Sequence, residues 1–246
     1  MNQCDQAQNS RPQVGSAVWG GMRSLKEKRS GFTLIEMLAV LAVMAVILGV
    51  AAPAMLGVVR SFQLTAAGDK LLSTIQYARD QARASGVPVE VRMYQADSTV
   101  LSKDGFDGYQ VVSMGSVGSV AADSTGDYIE SQALTEVFNF QGGVVAMASS
   151  NYSPLLSKGT FSDQNGYHRS RTGAKYSAMR FYADGSMRVP VTGGGQEGSE
   201  VAMVQIPMNT SYLTLTDEET NGNKVPKNYY CIQVDPFTGK ARVYRP

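Results

Sequence analysis

The sequence predicts an α+β protein, with one long N-terminal helix followed by an antiparallel, sandwich-like β domain. Three observations predict it. Between Glu36 and Arg60 there is no charged side chain, which leaves 23 uncharged and mostly apolar residues in a row. Beyond Arg60, apolar positions recur at spacings of three, four and seven as far as Ala82, the signature of one helix face. From Val87 onward the period falls to two, punctuated by Gly-, Asn- and Asp-containing turns, as strands require.

Residues 1–31 are polar and basic toward their end, with Arg23, Lys26, Lys28 and Arg29 just before Gly31. They read as a leader without a core of its own. The first half of the helix, 32–59, is apolar all round. A bilayer takes about 20 such residues at 1.5 Å rise each, so this segment is expected to span a membrane. The basic residues ahead of it place its N-terminal side in the cytoplasm and its C-terminal side outside. Gly49, Pro53 and Gly57 are points where the helix can kink. The second half, 60–86, is amphipathic. Leu64, Leu71, Ile75, Ala78 and Ala82 form one apolar stripe, and Asp69, Lys70, Arg79, Asp80 and Arg83 fall mostly on other faces. Gly86 supplies the C-terminal cap and Pro88 blocks continuation.

The exported β-rich domain is expected over 87–246. Val87–Tyr94 reads as a first strand with its valines on one face, and Tyr109–Val112 as a second. Residues 113–133 and 149–175 read as polar insertions, the latter with a turn at Asn165-Gly166. Leu134–Phe140 and Val144–Met147 are expected to form a hairpin around Gly142-Gly143. A clearer hairpin runs from Ala178–Ala183 through Asp184-Gly185 to Ser186–Val189, the pair predicting a type I′ turn. Val201–Ile206, Tyr229–Val234 and Ala241–Tyr244 complete the strands.

Composition excludes several functions. Residues 1–31 carry five Lys/Arg against Asp5 and Glu27, net +3, so the remaining 17 Lys/Arg against 19 Asp/Glu give the rest of the chain −2. That argues against a surface that coats nucleic acid. Cys4 lies in the leader, which leaves Cys231 with no internal partner. Its place in the apolar run Tyr229–Ile232 predicts a buried, inert thiol. His168 is the sole histidine, which nearly excludes catalytic triads and His-rich metal sites. Gly193-Gly194-Gly195 lacks the Gly-Lys-Ser/Thr of a phosphate-binding loop. Neither an enzyme nor a cofactor is indicated: there is no catalytic residue set and no metal set. The carboxylates Asp97, Asp104, Asp107, Asp123 and Asp127 raise a calcium site, but their spacing fits no EF-hand loop and turn-forming roles are commoner.

The stretch Lys28-Arg29-Ser30-Gly31-Phe32-Thr33-Leu34-Ile35-Glu36 resembles the prepilin leader and cleavage site of the type IV pilin and type II secretion pseudopilin superfamily. The resemblance implies cleavage between Gly31 and Phe32 by a prepilin peptidase, N-methylation of Phe32, an assembly and register role for Glu36, and a helix-kinking role for Pro53. Physical reading agrees. A small residue lets the backbone enter a protease site, and a lone carboxylate in an apolar span costs of order 2.5–3.5 kcal/mol unless it finds a partner. A neighbouring subunit's amine supplies one. A secretory signal would instead place its cleavage site after the apolar run.

Later segments, Arg180-Phe181-Tyr182-Ala183-Asp184-Gly185-Ser186 and Thr238-Gly239-Lys240-Ala241-Arg242-Val243, resemble the H-type minor pseudopilins and FimT/FimU-like minor pilins. The implied function is a minor structural subunit of a pseudopilus or pilus, held in the bacterial inner membrane by a single pass. Its implied partners are prepilin peptidase, other subunits through the helix, the inner-membrane assembly platform and membrane lipid. Two alternatives stay open: a DNA-uptake or adhesive minor pilin, and an anchored domain that enters no fibre. The basic groups Lys240, Arg242, Arg245 and His168, Arg169, Arg171 bear on the first, although solvated strand charges explain them as well.

Overall fold

The computed structural model describes residues 31–97, 105–115, 132–163, 168, 171, 173–192, 201–217 and 226–245. The expectations that fall on Cys4, Asp104, Asp123, Asp127, Asn165-Gly166, Arg169 and Gly193–Gly195 lie outside the described residues. The chain divides into two compact units, residues 1–49 and 50–246. Helix α1, Leu34–Ser85, contributes to both.

In the first unit α1 opens on side chains that are exposed throughout its described length. Among the described residues no helix is long and apolar enough to cross a membrane. The span expected over 32–59 includes residues 50–54 and 56, whose side chains, Pro53 among them, lie outside the described set.

In the second unit α1 ends where Gly86 turns left-handed at φ 71 and its N–H returns to the Ala82 carbonyl (3.0 Å). Glycine reaches that conformation without a Cβ penalty, so the cap forms where the sequence places it. Among the described residues twelve strands follow: β1 (Val89–Gln95), β2 (Gly105–Ser113), β3 (Gln132–Ala133), β4 (Phe138–Asn139), β5 (Val145–Met147), β6 (Phe161–Ser162), β7 (Lys175–Phe181), β8 (Met187–Thr192), β9 (Val201–Val204), β10 (Tyr212–Thr216), β11 (Tyr229–Val234) and β12 (Ala241–Tyr244).

The expected sandwich is instead one antiparallel sheet, ordered β12-β11-β10-β5-β2-β1-β7-β8-β9, with β3 and β4 also on β2 and β6 on β7. The reason lies in β5, which pairs through Ala146 with Phe106 of β2 on one side and with Leu215 of β10 on the other. That joint merges what would have been two layers. The sheet then curls. Met187 of β8 donates its N–H to the Pro236 carbonyl beyond β11 (2.8 Å), and Gln205 Nε2, just past β9, reaches the same oxygen (3.2 Å). Opposite ends of the strand order thereby meet.

The concave face packs on one side of the second half of α1, whose opposite side (Asp69, Lys70, Tyr77, Asp80) stays exposed. Leu64, Leu71, Ile75, Ala78 and Ala82 are all fully buried, in one core with Val91, Met179, Leu213 and Ile232. Burying a Leu or Ile is worth about 1.5–3 kcal/mol, so the stripe is the main hold of helix on sheet. Residues 149–158, expected to be a polar insertion, pack as well. Leu155 and Leu156 are buried, and Ser177 Oγ donates to the carbonyls of Leu156 and Gly159, each at 2.8 Å.

Several sequence expectations need correction. Strand β2 starts at Gly105, not Tyr109, and β9 ends at Val204, not Ile206. Strand β10 was not anticipated. The segments around Gly142-Gly143 do not form a hairpin: β3, β4 and β5 follow one another along β2, and the two left-handed glycines make a break in that line. At the Asp184-Gly185 corner, Gly185 N–H bonds to the Tyr182 carbonyl (2.9 Å). The central pair is therefore Ala183-Asp184, with Gly185 following at φ 88, the three-residue form with a glycine bulge rather than type I′. Strand β1, expected to bury only its valine face, is central and buried on both faces.

Candidate functional site

The N-terminal motif has its own local geometry. Thr33 caps α1: its N–H and hydroxyl both donate to Glu36 Oε2 (3.1 Å each), and Glu36 N–H donates back to Thr33 Oγ1 (3.3 Å). This is a reciprocal capping box, which occupies helix-end donors that otherwise lack partners. The Thr-x-x-Glu spacing that signals such a box is present in the sequence at Thr33 and Glu36. The box starts the helix at Leu34, so Gly31 and Phe32 lie outside it, with Phe32 78% exposed. A Cβ built on Gly31 meets nothing within 4 Å. The chain's own packing therefore makes no demand for glycine there.

The junction of α1 with the sheet is built around a notch. Gly68 faces the ring of Tyr230, where an added Cβ would lie 2.5 Å from the ring. The Tyr230 hydroxyl donates to Asp69 Oδ1 (2.5 Å), and the Arg245 guanidinium stacks on the same ring (5.6 Å). Burial first, then the Asp69 bond and charge, push the Tyr230 phenol above its ordinary range. Farther along the helix, Lys70 lies over Phe138 (4.2 Å) and Arg79 Nε donates to the Thr238 carbonyl (2.7 Å).

The other face of β1 holds a buried ionic group that the sequence did not reveal. Glu90 Oε1 accepts from Arg180 Nε and Nη2 (3.0 and 2.7 Å), and Oε2 accepts from Arg92 Nε (3.1 Å). Arg92 Nη1 also lies 3.8 Å from Asp163 Oδ1. Burial works to raise the Glu90 carboxyl, but the two guanidiniums hold it below the ordinary carboxylate range. Alternation in Glu90-Val91-Arg92 reads as a solvated face. Register places Glu90 opposite Arg180 and buries both.

The remaining flagged residues separate. His168 and Arg171 are not a solvated basic patch: His168 is buried, and Arg171 pairs with Asp107 (2.7 Å). Among the described residues no group of three or more His, Cys, Asp or Glu side chains could hold a metal ion. Lys240 and Arg242 are exposed, while Arg245 is engaged by Tyr230. Cys231 is half-buried rather than buried, and burial raises its thiol pKa.

Residues 26–52 match the family described as the prokaryotic N-terminal methylation motif. The match supports the type IV pilin and pseudopilin class, and it implies processing by prepilin peptidase and assembly with other pilin subunits. It points to a structural subunit rather than an enzyme, and it suggests an N-terminal anchor in the inner membrane. Neither the curated proteins nor the solved structures contain a match to the chain.

Proposed function

We propose that this protein is a minor pseudopilin or minor pilin-like subunit of a type II secretion or type IV pilus assembly. It is anchored by a single pass in the inner membrane with its β domain outside. The match over 26–52 carries the reading. In this reading the peptidase cuts between Gly31 and Phe32, the new Phe32 amine is methylated, and the helix waits in the bilayer until the assembly platform extracts it. The exposed, non-helical Gly31-Phe32 pair supports the choice of scissile bond, because proteases bind extended chain. Glu36 then exchanges its capping bonds for the amine of a neighbouring subunit, which fixes register. The likeness of the Arg180–Ser186 and Thr238–Val243 segments favours the H-type or FimT/FimU-like branch.

The test is intact mass and N-terminal sequencing of membrane-extracted protein, with Glu36→Ala assayed beside it for assembly. A chain beginning at methylated Phe32, whose assembly is lost in Glu36→Ala, is the expected result. A processed chain that assembles nowhere would favour an anchored domain outside any fibre. An unprocessed N-terminus would overturn the proposal.

A further inference from the structure

We propose that His168 and Arg171 form an acid-released clamp across the β1–β2 end of the sheet. Arg171 is gripped on three sides: its Nε–H donates to His168 Nε2 (3.2 Å), Nη1 to the Gln95 carbonyl (2.5 Å), and Nη2 to Asp107 Oδ1 (2.7 Å). Gln95 ends β1 at the point where its register against β2 slips, between Tyr94 and Gln95. This side chain therefore braces the irregular end of the ladder beside the Ala96 N–H bond to the Gly105 carbonyl (2.7 Å).

The grip requires a neutral imidazole. Only a ring nitrogen without a proton can accept from a guanidinium, so the His168 proton sits on Nδ1. Nδ1 is buried and has no hydrogen-bond partner among the described residues. The groups around the ring come from every neighbouring element. Asp163 follows β6 and accepts the His168 backbone N–H (2.7 Å), and Tyr94 of β1 meets the ring edge to face at 4.8 Å. Behind Tyr94 lies Tyr176 of β7. Asp107 faces Arg171 from β2, and Arg92 faces Asp163.

Protonation would turn the Nε2 acceptor into a donor and set two cations face to face in a half-buried site, which drives Arg171 off the ring. Burial first, then the Arg171 charge, already hold the imidazole below the ordinary histidine range, with Asp107 and Asp163 opposing. The sign follows. The closed state binds the proton more weakly than the open one, so closure is fully favoured above about pH 6.5 and lost as pH falls below it.

The experiment uses the full-length protein in detergent micelles, without a histidine tag. His168 is the sole histidine, so a histidine-labelled sample shows one imidazole by NMR. Amide exchange at Gln95 and residues 105–109, corrected for intrinsic rates, is followed from pH 7.5 to 5. The expected result is an imidazole midpoint below the ordinary value. Exchange should rise by up to about tenfold per pH unit over the same range. His168→Gln, whose amide oxygen accepts from Arg171 but does not titrate, should flatten that rise. An imidazole that titrates at or above the ordinary value would overturn the clamp. So would exchange that fails to follow the imidazole midpoint, or a His168→Gln variant that keeps the full rise.

Discussion

Glu90 shows how one buried carboxylate can set the acid limit of a domain. It sits between Arg180 and Arg92 with both oxygens engaged, and its partners are buried as well. Its pKa is held below the ordinary 4.5, so the folded state gains stability from it above that pH and loses the gain as pH falls further. Glu90→Gln removes the carboxylate that two buried guanidiniums share, although Arg92 keeps Asp163 at 3.8 Å. Removing one partner of a buried ion pair costs about 3–5 kcal/mol, so denaturant midpoints at pH 7 should fall accordingly. The variant's stability should also be flatter than the wild type's below pH 4.5. An unchanged midpoint would mean that the cluster carries no net stabilisation.

At the level of elements, helix and sheet meet where Gly68 lies under the Tyr230 ring. Gly68→Ala gains about 1 kcal/mol of helix propensity. It also drives a Cβ into the body of a ring that cannot swing away, and overpacking of this kind costs about 1–3 kcal/mol. The net effect should be a lower melting temperature of the full-length protein, and a higher one would show that the helix is free to shift. The sequence made some of these elements legible and hid others. The α1 stripe, its Gly86 cap, β11 and β12 could be read because each follows from local periodicity or a turn residue. The Gly68–Tyr230 contact could not, because a helical glycine carries no sign of the ring that will lie on it 162 positions later. The Arg180 partner of Glu90 is hidden for the same reason, being set by strand register. The sandwich expectation failed on β5, three residues whose double pairing no periodicity announces. Of the N-terminal motif, the proposed cleavage pair Gly31-Phe32 and the proposed role of Glu36 come from the resemblance of that stretch, while Thr33 as the cap of α1 is evident only from its bonds.

For the molecule as a whole, the sheet is not a free-standing layer to which a helix has been added. Its concave core contains Leu64, Leu71, Ile75, Ala78 and Ala82. A chain cut to begin at residue 60 keeps that stripe and should unfold cooperatively in denaturant. One cut to begin at residue 87 lacks it and should give no cooperative transition. A sharp transition from the shorter chain would show that the strands can close on themselves.

The same packing governs what happens under tension. A pull on α1 from its N-terminal side runs along the buried stripe rather than across the strands. It must slide the whole stripe past the facing strands at once, against the Tyr230 ring seated over Gly68 and the Arg79 bond to the Thr238 carbonyl. Loading in shear shares force across many contacts, whereas peeling breaks them singly. In the proposed assembly, a subunit drawn by its helix would therefore load this domain in shear.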